Sequence, residues 1–291
     1  MIEIQADMII VVDSGATKTA WRSVAEDGTL RSVQTGGMSP TCLDAGHFQS
    51  LVREAVPQLN PDGRTVEAVY FYGAGLVSEE TCAPIRTALE MWCPFARVEF
   101  HSDLMAAARA LFGGGSGVVA IMGTGSNSCL YSQGAIAGHI NTGGFIIGDE
   151  GSASALGKAL ISDYIKDLLP EGVRALFDEK FALSYQKIVH QVYKEPGAAS
   201  FLGSFAPFVL ENIDEPSGYM YYLLDDCLDS FMKRALSRYH DADGPVKRVG
   251  VVGSFGCACE DYLRKIGERY GLEFVKFLKS PIDELVKYHG I

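Results

Sequence analysis

Basic residues are scarce in this chain: 25 Lys and Arg stand against 36 Asp and Glu, a net charge of −11 over 291 residues. Nucleic acid and anionic membranes both require basic surface, so neither is expected as a partner. A phosphorylated small ligand remains compatible, because backbone amides and a bound metal can supply local positive field. Long apolar runs are also lacking. The N-terminal run from Met8 to Val12 (MIIVV) falls well short of the roughly 20 residues that cross a bilayer. It has no basic segment before it and ends in Asp13, so neither a signal peptide nor an anchor is expected. The seven cysteines are scattered, with no CxxC pair, which fits reduced thiols and a cytoplasmic location. Cys257 and Cys259 form a lone CxC, a weak pointer to a metal. The six histidines make no HxxxH or HExxH pattern, leaving a metalloprotease-like site without support. Neither GxxxxGK[ST] nor GxGxxG occurs, so the P-loop and the common dinucleotide fingerprint are absent.

What is present is a soluble globular composition, 47% hydrophobic and 21% charged, at a length that suggests two domains of roughly 150 residues each. Residues 7–37 read as a strand, a glycine turn, a second strand, a DG hairpin and a third strand. A helix follows, then a buried strand VEAVYFYGAG, a helix over about 79–91, the short strand RVEFHS and the helix DLMAAARALF, capped by Ser102 or Asp103. After the GGGSG loop at 113–117 the opening pattern returns in GVVAIMGTGSNSCLYSQGAIAGHI. The repeated order of elements suggests duplication, against the alternative of two unrelated meanders. The remainder is helix-rich: one helix over ASALGKALISDYIKDLL, more within 171–214, and a core-facing stripe over 217–238. VKRVGVVGSFG supplies a late strand into a glycine turn, and an amphipathic helix and a final helix, IDELVKYH, close the chain. The expected boundaries are 1–112 and 113–280, with residues 281–291 packing back on the first domain.

Three glycine turns follow apolar strands. In DSGATKT, a turn holding Gly15 among Ser14, Thr17 and Lys18 offers amides and hydroxyls to a phosphate, and Asp13 could hold a magnesium ion through water. A plain hairpin turn is the competing account. In MGTGSNS, Gly123 and Gly125 flank Thr124; this is a second phosphate cradle, or a tight turn needing positive φ. In VVGSFG, Gly253 and Ser254 could lie against an adenine or ribose, or simply let a helix pack. Two acidic positions raise the same kind of contest. Asp103, where RVEFHS meets a helix, suits a base that accepts a hydroxyl proton, but also suits a helix cap. In GGFIIGDEGSASALG, Asp149 or Glu150 could cap the next helix, or hold a bound substrate between Gly148 and Gly151.

These segments together resemble the actin-like ATPase superfamily of sugar kinases, chaperone ATPases and actin. DSGATKT is similar to its first phosphate loop, AIMGTGS to its second and VVGSFG to its adenosine loop. MGTGSN followed by GDEGS resembles, more narrowly, the BadF/BadG/BcrA/BcrD-type ATPase family and its N-acetylglucosamine kinase branch. The resemblance covers nearly the whole chain. It implies a ribonuclease H-like α/β clamp of two lobes, each a mixed five-stranded sheet with helices, holding ATP in the cleft and a sugar between the lobes. It also implies Mg2+, with Asp103 as base and Asp149 as a sugar ligand. Ser126, Asn127, Gly143 and Gly144 match other sugar-contacting positions, and Thr17 and Thr124 match ATP-contacting ones. Relatives carry asparagine where this chain has Ser39, which puts the identity of the sugar in question. The expected protein is thus an ATP-dependent amino-sugar kinase, soluble and homodimeric, with N-acetylglucosamine as the leading substrate. The competing readings are an ATPase activator of an acyl-CoA dehydratase, whose iron–sulfur cluster could draw only on Cys257 and Cys259, and a non-catalytic sugar-sensing clamp. No CxCGxxGC string supports a zinc-binding repressor-like sugar kinase.

Overall fold

The strand Met8–Ser14 (β1) is apolar on both faces, which a strand in the middle of a covered sheet requires. In the computed structural model, which describes residues 7–15, 18–38, 45–76 and 78–290, β1 pairs antiparallel with β2 (Lys18–Ala25), and β2 pairs antiparallel with β3 (Leu30–Gly36). Helix α1 (Ala45–Leu59) leads to β4 (Val66–Gly73), α2 (Glu79–Glu90), β5 (Arg97–Ser102) and α3 (Asp103–Phe112). Strands β4 and β5 run parallel to β1, giving the order β3-β2-β1-β4-β5. One face of this sheet buries Ile10, Val12, Trp21 and Phe71 against Phe48 and Val52 of α1 and Ile85 and Leu89 of α2.

The chain then builds a second sheet from β6 (Ser116–Met122), β7 (Ser126–Ser132) and β8 (Ala135–His139), again an antiparallel meander. A short helix α4 (Gly144–Ile147) and then α5 (Ala153–Tyr164) follow. Next come α6 to α9 (Glu171–Phe181, Tyr185–Tyr193, Ala198–Gly203, Ala206–Glu211), α10 (Tyr219–Arg234) and a small hairpin of β9 (His240–Asp241) and β10 (Gly244–Pro245). Strands β11 (Arg248–Val252) and β12 (Glu273–Leu278) add in parallel to β6, with α11 (Ser254–Ala258) and α12 (Glu260–Arg269) between them. The order β12-β11-β6-β7-β8 repeats the connectivity of the first sheet. Its core joins Val118, Ala120 and Val251 to Leu156 and Leu160 of α5 and to a phenylalanine cluster of Phe177, Phe205 and Phe208.

Two compact units result: the residues up to Gly114 together with those from Ser280 onward, and the residues Gly115–Lys279. The last helix, α13 (Ile282–Tyr288), therefore belongs to the first unit, where it packs beside α3. Arg22 donates to Asp283 at 3.0 Å, and His289 stacks on Tyr70 with ring centres 3.5 Å apart. Arg109 donates to the buried Tyr72 hydroxyl at 2.7 Å, and that oxygen lies 2.8 Å from His289 Nε2. No helix among the described residues is long and apolar enough to cross a membrane.

Besides the short helix α4 and the hairpin of β9 and β10, which the sequence does not mark, two longer elements depart from the expectation. The helix opening at Ala153 ends at Tyr164 rather than running on through the IKDLL segment. The backbone turns over at Asp167, which takes a left-handed φ of +57°, and Pro170 begins the next helix. Strand β12, the fifth strand that the resemblance implies for the second sheet, is not marked in the residues: its pattern EFVKFL buries only Phe274 fully, so it lacks the continuous apolar run that marks its neighbours.

Candidate functional site

In the first unit, β1, β4 and β5 are parallel, so their C-terminal ends lie together and present Asp13, Gly73 and Ser102 at one end of the sheet. This is where ligands gather in open α/β sheets. Ser14 laces that end together: its hydroxyl accepts from the Met38 amide at 3.1 Å and meets Thr19 Oγ1 at 3.0 Å, while its carbonyl accepts from Ala74. The hairpin closes through the Gly15 amide, which donates to the Lys18 carbonyl at 2.9 Å. Gly15 thus shapes the turn and does not offer its amide to a ligand. Thr17, the other expected phosphate contact in this turn, lies outside the described residues, as does Ser39.

Helix α3 is capped by Ser102, whose hydroxyl accepts from the Met105 amide at 3.2 Å. Asp103 is consequently the first residue inside the helix, its carboxylate accepting from its neighbour Leu104 N at 2.9 Å. The capping account of Asp103 therefore gives way to Ser102. Half-buried Asp13 is pushed up to about 6, first by burial and then by the negative charge of Asp103; a hydrogen bond from Ser280 and the charge of Lys18 act in the opposite sense. Ser280 donates to Asp13 Oδ2 at 3.5 Å. Its role was not visible in the sequence, because only the return of the chain after β12 brings it there.

In the second unit, the GTGSN and GDEGS segments form one structure. The amides of Ala153 and Ser154, at the start of α5, donate to the carbonyls of Gly123 and Thr124 at 3.0 Å each. The Gly123 amide donates to the Gly125 carbonyl at 2.9 Å. With these groups tied, the amides of Thr124 and Gly125 donate to no protein acceptor among the described residues, the condition for an anion-binding cradle. Gly253 abuts the same loop, since a Cβ there would stand 2.2 Å from the Met122 carbonyl. Only glycine therefore brings the third turn onto the second. Ser254 opens α11 and is exposed.

Asp149 sits at the centre of this arrangement. It takes φ +56°, a conformation that costs a side-chain-bearing residue about 1 kcal/mol or more, and it is 9% exposed. Its carboxylate packs on Gly125, where a Cβ would come within 2.8 Å of Oδ2, and it accepts from the Ser126 amide. Burial raises its pKa, the Ser126 bond and Lys158 opposing that shift and Glu150 adding to it. Helix α5 is capped by Ser152, whose hydroxyl accepts from Ala155 N at 3.1 Å. Capping thus accounts for neither acid. Ser126 is 6% exposed, and its hydroxyl donates to the Glu150 carbonyl at 2.7 Å. That side chain shapes the turn and is not held ready for a ligand. Gly143 and Gly144, with φ +78° and +70°, start α4 just before the turn, and the Thr142 carbonyl accepts from Asp149 N at 3.3 Å.

The backbone of this turn leaves no room at Gly148, where a Cβ would lie 1.5 Å from the Thr142 carbonyl oxygen, whereas Gly144 faces open space. Gly148→Ala is accordingly expected to destabilise by about 3 kcal/mol or more. Gly144→Ala meets only the left-handed backbone cost of about 1–2 kcal/mol. Thermal denaturation of both variants checks the order; equal losses would contradict it.

The CxC pair lies beside the third turn. Burial raises both thiols, Cys259 to about 12, which disfavours the thiolates that a cluster requires. Among the described residues no group of three or more His, Cys, Asp or Glu side chains could hold a metal ion.

No protein-family model matches the chain, and no curated protein does. Among solved structures, a candidate N-acetylglucosamine kinase from Porphyromonas gingivalis aligns with 34% identity and a TM-score of 0.88, over 97% of this chain and 98% of the other. The chain belongs to the sugar kinases of the actin-like ATPase superfamily. This sugar kinase also shares its fold with a candidate N-acetylglucosamine kinase from Chromobacterium violaceum, at 19% identity, TM-score 0.74 and 98% and 99% coverage of the two chains. A ROK family glucokinase from Streptomyces griseus, solved with glucose and AMPPNP, aligns at 17% identity and TM-score 0.58, covering 97% of each chain. At those identities the likeness extends to the fold alone. The expected pair of mixed five-stranded sheets with helices is what this sugar kinase has, and its enzyme class is that of an ATP-dependent carbohydrate kinase.

Proposed function

We propose that the chain transfers the γ-phosphoryl group of ATP to a hydroxyl of an amino sugar, N-acetylglucosamine, and that it falls in the BadF/BadG/BcrA/BcrD-type branch. The observation that carries this reading is the Asp149 seat. A buried carboxylate, held in a left-handed turn that capping does not require, stands against the loop whose Thr124 and Gly125 amides are open to an anion. A carboxylate accepts from two neighbouring hydroxyls, and phosphoryl transfer needs an amide cradle for phosphate oxygens. The name carried by the Porphyromonas gingivalis relative supports the choice of sugar.

The residues take the following parts. Thr124, Gly125 and Lys18, with Thr17, hold phosphate oxygens. Gly253 and Ser254 receive the nucleoside. Asp149 and Asn127 hold sugar hydroxyls, with Gly143, Gly144 and Ser39 beside the ring. Ser126 supports Asp149 through its backbone amide. Asp103 accepts the proton of the attacking hydroxyl. Asp13 fits a magnesium ion, because its charge and that of Asp103 repel and a divalent cation relieves this. Magnesium binds through one or two carboxylates together with phosphate oxygens and water, which agrees with the small number of acids here. Bound there, the ion would neutralise charge on the transferred group.

ADP release measured across a panel of sugars tests the reading. N-acetylglucosamine is expected to stimulate turnover most, at least about 10-fold over glucose, the discrimination that one differently paired polar group provides. ATP hydrolysis indifferent to every amino sugar would overturn it.

A further inference from the structure

Asn127, second residue of β7, has an amide whose polarity is settled by its neighbours. Its Oδ1 lies 2.9 Å from the backbone nitrogen of Ser128. A backbone N–H only donates, so the atom facing it is the oxygen and not the amide nitrogen. The same oxygen lies 3.0 Å from His139 Nε2, and that ring nitrogen must therefore carry its proton and donate. Ring and amide share a face of the sheet: His139, the last residue of β8, is the register partner of Cys129, two residues along from Asn127. Both lone-pair directions of Oδ1 are occupied. The two N–H groups of Nδ2 donate to no protein acceptor among the described residues. One residue earlier, the Ser126 amide fixes the Asp149 carboxylate. Of two adjacent residues at the start of β7, one thus carries a group left able only to donate, and the other fixes a carboxylate that only accepts when ionised.

We propose that His139 is a positioning residue that locks Asn127 as a two-proton donor, so that the substrate group meeting Asn127 is an oxygen, a hydroxyl or an acyl carbonyl, and an ammonium there is rejected. This rests on the reading of Asn127 as a sugar contact. The chemistry is one of pairing: a donor facing a donor leaves both unsatisfied, a penalty larger than the gain of an ordinary hydrogen bond. Discrimination by a site built to donate is correspondingly steep.

The test compares three variants of the full chain by steady-state kinetics, together with NMR of the His139 ring Nε2–H proton. Asn127→Asp keeps an oxygen for Ser128 and His139 but replaces the two donors by an acceptor. It is expected to raise the sugar KM about 100-fold and leave the ATP KM within about twofold. His139→Ala is expected to raise the sugar KM about 5–10-fold at unchanged kcat, and His139→Gln, which restores an N–H donor, to return it to within about twofold. In Asn127→Asp the new carboxylate should also move the Nε2–H proton of His139 downfield, since a bond to an ionised acceptor is shorter and stronger, a readout that needs no sugar. An unmoved Nε2–H proton overturns the pairing itself. A moved proton with an unchanged sugar KM in all three variants overturns the positioning role while leaving the kinase reading intact. Absence of any sugar substrate for the unaltered chain, with the proton moved, overturns the underlying reading instead.

Discussion

Asp103→Asn is expected to lower kcat by about 10³-fold while sugar affinity stays within about threefold, the loss that removal of a general base produces. Ser102 takes the capping bond of α3, so the substitution leaves the cap intact. Asparagine is nearly isosteric with aspartate, and its Oδ1 can still accept the bond that Leu104 N makes to Asp103 at 2.9 Å. What disappears is an acceptor able to take a full proton as the sugar hydroxyl attacks phosphorus. Asp103 also stands close enough to Asp13 for its charge to raise that group. Its loss should therefore lower the Asp13 pKa, and any residual activity should extend further into acid than that of the unaltered enzyme. ADP release gives kcat, and calorimetric titration with the sugar gives affinity. Turnover within about tenfold of the unaltered enzyme would show that Asp103 is not the base. Loss of sugar affinity in step with turnover would make it a binding residue.

Much of the fold and of the site is legible in the sequence. Each sheet begins with a strand–turn–strand–turn–strand pattern whose turns carry glycine, and those local signals located β1 to β3 and β6 to β8. The seat of Asp149 is legible because it is nearly local: Gly123 to Asn127 and Gly148 to Ser154 are separated only by the rest of β7, the strand β8 and the short helix α4. The glycines there could be flagged from the sequence, but not the reason for each. Gly148 is required by the Thr142 carbonyl and Gly253 by the Met122 carbonyl, and such contacts are set by packing. The two acids were ambiguous because an aspartate at a helix start reads equally as a cap. The neighbouring serines, 102 and 152, resolve that, since their hydroxyls make the capping bonds. Ser280 and His139 carried no signal. Ser280 meets Asp13 across 267 positions of sequence, and His139 meets Asn127 across a strand pair whose register shifts between Leu130 and Tyr131. Strand β12 was lost for a related reason: its side chains are mostly half-buried, so its pattern is neither continuous nor cleanly alternating.

Asp13→Asn is expected to abolish most activity, at least about 100-fold in kcat/KM with Mg-ATP, and at the same time to stabilise the ligand-free protein at neutral and alkaline pH. The second effect follows from linkage. Asp13 titrates at about 6 in the folded chain against an ordinary value of 3.8. Between those values the folded state binds more protons than the unfolded one, so stability falls as pH rises. The contribution of the protonated form is fully present below about pH 4 and is lost as pH passes through 6. One pKa unit corresponds to about 1.4 kcal/mol, so above pH 7 the ionised carboxylate costs the fold up to about 3 kcal/mol. Asparagine stays neutral throughout and can still accept from Ser280. The variant should therefore melt several degrees higher than the unaltered protein at pH 8, and at nearly the same temperature at pH 4. Scanning calorimetry at the two pH values reads this directly. Saturating Mg-ATP should narrow or reverse the pH 8 difference, because binding stabilises only the protein that retains the carboxylate. A variant equally stable at both pH values would show that the charge of Asp13 carries no folding cost. One that melts higher at pH 8 but keeps full activity would remove Asp13 from the metal site. The expected combination, greater stability with lost turnover, is the signature of a charge held in an unfavourable place because the reaction needs it there.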